Sequence, residues 1–188
     1  MRQPSGSMST PKSIITRVGD RGTTRLFSGE EVSKNSPRPC ACGEVDELVS
    51  ALGLARAHVA CDADRGALLH LQRTLFHVGA EVATMASKRS VLERRLDASA
   101  VEDIEHRCAA AEKRVDLPDG FVVPGGNPGA AFLDHARAVA RRCERRLVGL
   151  HDAGQLRNEF ILVWMNRLSD YLWLMARIEE GTSTPVKE

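Results

Sequence analysis

Arg137, Arg141 and Arg145 recur at four-residue intervals in this 188-residue chain. At 100° per residue they share one face of a helix, while Phe132, Ala136, Val139, Ala140, Cys143, Leu147 and Leu150 gather on the other. Like charges at that spacing repel, so this rail is either a solvated face, with Asp134 and Glu144 as partial neutralisers, or it lies along an anion. Guanidinium forks suit phosphate oxygens. A second candidate for phosphate is the turn Gly19-Asp20-Arg21-Gly22-Thr23-Thr24, with Lys34 downstream. It is either an ordinary tight turn or a cradle in which glycines let the backbone approach phosphate. It is not a Walker loop, because no GxxxxGK[ST] occurs. Asp46 heads a stripe with Ser50, Gly53 and Ala57, and either complements a helix dipole or belongs to a site. Phe121 and Val122-Val123 are apolar residues in a loop rich in proline and glycine, where packing beneath the loop is the default role. Asn166, Asp170 and Arg177 draw a narrow polar line on an otherwise apolar helix, either a hydrogen-bond seam or one wall of a site.

Other chemistries lack their residues. None of the six histidines follows a glutamate by three positions, so the ligand pattern of a di-iron bundle is missing, and HExxH and GxSxG are absent too. What remains is equipment for holding an anion and stabilising a departing phosphate group, with no nucleophile of its own. If the protein is an enzyme, the nucleophile arrives with a substrate.

The totals narrow the setting. A formal net charge of +1 makes the rail a local feature, which argues against nucleic acid. Aromatic residues at 4%, with a single Tyr, fit a helical bundle with an aliphatic core. Five cysteines, an odd number with no CxxC, point to reduced thiols in a reducing compartment. No apolar run reaches a membrane span of roughly 18 residues, and no signal-peptide core opens the chain, so a cytoplasmic protein is expected.

The elements that must position these residues read as one domain over 13–181, between a disordered tail at 1–12 and a flexible one at 182–188. Residues 13–40 are extended and turn-rich. Five helices follow within 42–180. The first spans about 42–60 and the second about 64–86. The third opens at Ser99 with Glu102 as a capping box, and the fourth carries the arginines behind Asn127 and Pro128. The last begins near Gln155, ends before Gly181 and is apolar on nearly every side, which suggests a subunit interface as well as a core.

Five stretches in order, TRVGDRGTTRLFSGEEVSKNSPR from Thr16, GEVDEL from Gly43, FVVPGG from Phe121, ARAVARRCERRLVGL from Ala136 and MNRLSDYLWLMAR from Met165, resemble the PduO-type ATP:cob(I)alamin adenosyltransferases. The resemblance implies an all-α five-helix bundle with an extended N-terminal nucleotide-binding segment, assembled as a homotrimer with active sites between subunits. It implies transfer of the 5′-deoxyadenosyl group of ATP, bound with Mg2+, to the cobalt of reduced cobalamin, with a reductase and a cobalamin-dependent acceptor enzyme as partners. The compartment would be the cytoplasm, or the mitochondrial matrix in a eukaryote. Thr16, Arg17, Val18, Gly19, Asp20, Gly22, Thr24, Arg25 and Lys34 would wrap the phosphates, and Arg141, Arg142, Glu144, Arg145 and Asn166 would hold ATP from the helices. Asp46 would pair with Arg137, within one chain or between two, and Phe121 would exclude the lower axial base of cobalamin, easing reduction of cobalt. Val49, Cys42 and Ser36 depart from the family's usual Asn, aromatic residue and Asp. A carrier that binds nucleotide and cobalamin without catalysis is the competing reading.

Overall fold

The computed structural model describes Ile15, Arg17 and residues 19–186. The expected tail at 1–12 and two expected phosphate ligands, Thr16 and Val18, lie outside the described residues. The extended segment folds into a hairpin, β1 (Thr23–Arg25) with β2 (Glu31–Ser33), antiparallel with Thr24 opposite Val32. Gly29, at φ 96°, supplies the left-handed residue of its turn. Buried Leu26 and a bond from Phe27 N to Ala83 O (3.0 Å) seat the hairpin against the end of the second helix.

The helices are α1 (Pro37–His58), α2 (Asp62–Val82), α3 (Ala98–Glu112), α4 (Pro128–Asp152) and α5 (Glu159–Glu180), with a 3-10 turn at Ala86–Val91. α4 packs against both α1 and α5, while α2 lies on α1 and α3 on α5. The arginine helix is therefore the middle of the bundle. Its seam of Val139, Ala140, Cys143, Leu147 and Leu150 is buried as its periodicity requires, and each such leucine contributes roughly 1.5–3 kcal/mol. The outer helix α2 is tied to the chain just beyond the end of α3 by a bidentate pair, Arg114 to Asp64 at 2.8 and 2.9 Å.

Helix starts differ from expectation where capping chemistry decides. α1 begins at Pro37, five residues before the expected start, because prolines need no hydrogen-bond acceptor in a first turn. α3 is capped by Asp97, which accepts from Ser99 N (3.1 Å) and Ala100 N (3.4 Å), so the expected box from Ser99 to Glu102 is not the cap. Asn127 and Pro128 open α4 as expected, and Gly181 ends α5 at φ 74°. Residues 182–186, read as part of a flexible tail, form β4 (Thr184–Pro185) against β3 (Val122–Val123). The fifth helix is not enclosed all round within one chain: Phe160 is 45% and Val163 39% exposed.

Candidate active site

On α4, Arg141 and Arg145 are exposed and have no ion-pair partner among the described residues, whereas Arg137 is half-buried. Arg142 lies off the rail, towards α1. Its Nε donates to Glu44 Oε2 at 2.7 Å and its NH2 to Glu47, and these two carboxylates raise its pKa above the ordinary arginine value. Arg142, Arg145 and Arg146 line a pocket of about 440 Å³ with Pro37, which places the root of the hairpin segment beside the cationic face. On the neighbouring helix Asn166 donates to Glu144 Oε1 at 3.4 Å, so those two expected ATP ligands meet. Asn166 Oδ1 also accepts from Arg167, which is anchored to Glu105 at 3.0 Å.

The N-terminal candidates form a second group. Arg17 takes a left-handed φ of 59° and its carbonyl accepts from Asp20 N at 3.4 Å, while Gly22 N donates to Gly19 O and Lys34 N to Gly22 O. A Cβ on Gly19 would stand 2.9 Å from Lys34 Nζ and 3.3 Å from Thr23 O. The turn therefore holds a lysine ammonium against bare backbone, with Thr24 and Arg25 on the strand that follows. Within one chain no hydrogen bond or ion pair joins this turn to the guanidiniums of α4 among the described residues.

Asp46 is exposed and has no ion-pair partner among the described residues. Glu44 and Glu47 take the side of α1 that faces α4, and Asp46 lies 100° from Glu47 around the helix. Arg137 instead pairs with Asp134 (Nε to Oδ1, 3.4 Å), so a single chain does not bring Asp46 to Arg137. Behind Asp46, burial pushes the Cys42 thiol up to about 11, with the Asp46 charge adding to the effect.

Phe121 is 90% exposed and rims a pocket of about 580 Å³ that Asp134, Arg137, Trp173 and Arg177 also line. It does not pack beneath its loop. The loop is pinned from behind, where Val186 N donates to Phe121 O at 3.0 Å. Of the polar line on α5, Asn166 and Asp170 face outward, while Arg177 is buried and donates to Asp134 Oδ2 at 2.5 Å. Asp134 and Trp173 were not among the expected site residues. The signal for Asp134 was its place one turn before Arg137, on the same face and of opposite sign.

The arrangement combines a surface cationic face, an acid–amide pair, a glycine–lysine turn and an apolar side chain at a pocket mouth. The sequence model of the cobalamin adenosyltransferase family matches residues 14–179, and the chain belongs to that family. It is 39% identical over 168 residues to the corrinoid adenosyltransferase PduO of Salmonella typhimurium, covering 89% of this chain and 50% of that one. A corrinoid adenosyltransferase of Citrobacter freundii is 38% identical over 169 residues, covering 90% of this chain and 96% of the relative. The chain thus spans half of the first relative and nearly all of the second. Among solved structures, a phenylalanine-to-histidine variant of a PduO-type ATP:corrinoid adenosyltransferase from Lactobacillus reuteri, complexed with cobalamin and ATP, superposes with a TM-score of 0.87. It is 29% identical, with 94% of this chain and 97% of that one covered.

Proposed function

We propose that this protein is an ATP:cob(I)alamin adenosyltransferase. The observation that carries the reading is the pair of exposed arginines, Arg141 and Arg145, without an ion-pair partner among the described residues, on the helix that also presents Glu144 to Asn166, in a chain of this family. Exposed like charges one turn apart are stabilised by an anion laid along them, and a triphosphate has the length and charge to do so. The turn at Gly19, with Lys34 beside it, supplies backbone and ammonium donors for the same phosphates.

In the reaction, the Co(I) electron pair attacks the ribose C5′. The cobalt–carbon bond forms, the C5′–oxygen bond breaks with its electrons leaving on triphosphate, and cobalt ends as Co(III). The protein's work is to orient ATP, to stabilise the leaving triphosphate and, through Phe121, to keep the lower face of the corrinoid free of its base. Mg2+ would accompany ATP as its phosphate-bound counterion. Among the described residues Asp46 and the glycine turn find no partner on α4 within one chain, and this supports a homotrimer whose sites lie between subunits. A reductase would supply Co(I), and a cobalamin-dependent enzyme would take the product. None of the described helices is long and apolar enough to cross a membrane; we place the protein in the cytoplasm, or in the mitochondrial matrix of a eukaryote.

Incubation with ATP, Mg2+, cobalamin and a strong reductant is expected to yield a light-sensitive adenosylcobalamin spectrum. No product above a protein-free control would overturn the assignment, and tight ligand binding without turnover would leave the carrier reading in its place.

A further inference from the structure

Of the three rail arginines, Arg137 alone is tied into the bundle. Asp134, one turn earlier and 6% exposed, divides its two oxygens, with Oδ1 3.4 Å from Arg137 Nε and Oδ2 accepting from Arg177 NH2 at 2.5 Å. Arg177 is enclosed, with its side chain 0% exposed, its guanidinium carbon 5.6 Å from the centre of the Trp173 ring and its Nε 3.2 Å from Glu180 Oε1. Charges therefore alternate in sign from the end of α5 to the rail: Glu180, Arg177, Asp134, Arg137. The terminal nitrogens of Arg137 have no partner among the described residues, and Asp134, Arg137, Trp173 and Arg177 line the pocket that Phe121 rims.

We propose that Asp134 is a positioning residue for Arg137: its carboxylate, clamped from behind by Arg177, fixes the Nε edge of the Arg137 guanidinium and so sets how the terminal nitrogens meet the reacting partners at this pocket. A carboxylate bonded to a buried cation is held in one rotamer, and an arginine bonded to it through Nε loses the freedom to swing along the rail. Asp134 touches no substrate in this scheme. The inference rests on the adenosyltransferase reading, in which Arg137 works at the site.

The test is a double-mutant cycle in turnover, using Asp134→Asn, Arg137→Lys and the two combined. Arg137→Lys keeps the charge but removes the Nε–H that faces Asp134. Asp134→Asn alone is expected to lower kcat by about 10- to 100-fold, the scale of a misplaced catalytic contact, with the KM for ATP nearly unchanged. In the combined variant its further effect should largely vanish, because the carboxylate acts through that arginine. Losses that simply multiply, or Asp134→Asn at the wild-type rate, would overturn the positioning role. Asp134→Asn leaves Arg177 less well paired, so melting temperature is recorded throughout. If the single variant does not fold, Asp134→Asn with Arg177→Met and Glu180→Gln, which leaves neither a buried unpaired cation nor a buried unpaired carboxylate, takes its place in the same cycle. A wild type that makes no adenosylcobalamin overturns the activity and this inference together, whereas an active wild type matched by Asp134→Asn overturns only the inference.

Discussion

A methyl group is enough to test the N-terminal turn. In Gly19→Ala the new Cβ would meet Lys34 Nζ at 2.9 Å and Cε at 3.0 Å. The lysine side chain is the flexible partner, so the fold should survive while the ammonium is pushed off the turn. We expect the KM for ATP to rise about tenfold, the scale of one displaced charge-assisted contact of roughly 1.4 kcal/mol, with the melting temperature of the free protein nearly unchanged. An unaltered KM would remove Lys34 from phosphate binding. At the other end of the site, burial pushes the Cys143 thiol up to about 12, with the Glu44 charge adding to it. An unfolded thiol ionises near pH 8.5. Between that pH and about 12 the unfolded state releases a proton that the native state keeps, so stability is unaffected below about pH 8.5 and falls as pH rises above it. Denaturant titrations at pH 8 and pH 10 should show the decline, and Cys143→Ala should make it shallower, the remainder coming from the Cys42 and Cys108 thiols, which burial also pushes up to about 11. An equal slope in both proteins would refute the assignment. The arginine rail was legible as a helix face because spacing is a property of one helix, whereas Glu144, Asn166 and Phe121 were drawn together only by the family resemblance, since their contacts and exposure depend on packing between elements. The Arg137 contact within one chain was not legible, because two carboxylates, Asp134 and Asp46, stood within reach of the pattern and only packing shows that Asp134 takes the Nε edge there.

Among the elements, the helix ends beneath the hairpin are joined by one side chain. Arg38, 6% exposed, donates to Val82 O (2.7 Å), Thr84 O (3.0 Å) and Gln155 O (2.5 Å), which ties α1 to the end of α2 and to the connection between α4 and α5. Arg38→Ala strands three carbonyls that a charged donor satisfied. The expected loss is about 3 kcal/mol, or roughly 6–12 °C in melting temperature for a chain of this size. A shift below about 2 °C would mean that water replaces the arginine without cost. The same residue explains why α1 starts early: a buried arginine at its second position needs the first turn wound to bring the guanidinium under the helix ends. Five helices and their buried faces could be read from periodicity because α4 and α5 repeat apolar residues over more than twenty positions. The β3–β4 pairing could not, since two-residue strands carry no period and their pairing depends on where α5 releases the chain.

For the whole molecule, the question is what covers the surfaces that one chain leaves uncovered. Leu54, Val148, Phe160 and Val163 are apolar and exposed on α1, α4 and α5, while Asp46 on α1 and Arg141 and Arg145 on α4 lack partners among the described residues. Apolar area beside complementary unpaired charge is the composition of an interface between copies. In the proposed ring of three, each copy would offer its Asp46 face to the next copy's Arg137 face and leave neither uncovered. Asp46→Ala and Arg137→Ala are each expected to lose most turnover, since deleting one partner of a pair removed from water leaves a charge uncompensated. Mixing them separates the geometries. If the pair forms within a chain, every chain in a co-refolded mixture carries a broken site. If it forms between chains, each mixed ring contains one junction that joins an intact Asp46 to an intact Arg137. Random assembly from equal parts makes three-quarters of rings mixed, with one intact junction in three, so about a quarter of the wild-type rate should return. A mixture as inactive as its parents would sink the shared site, and a particle mass other than three chains would sink the ring.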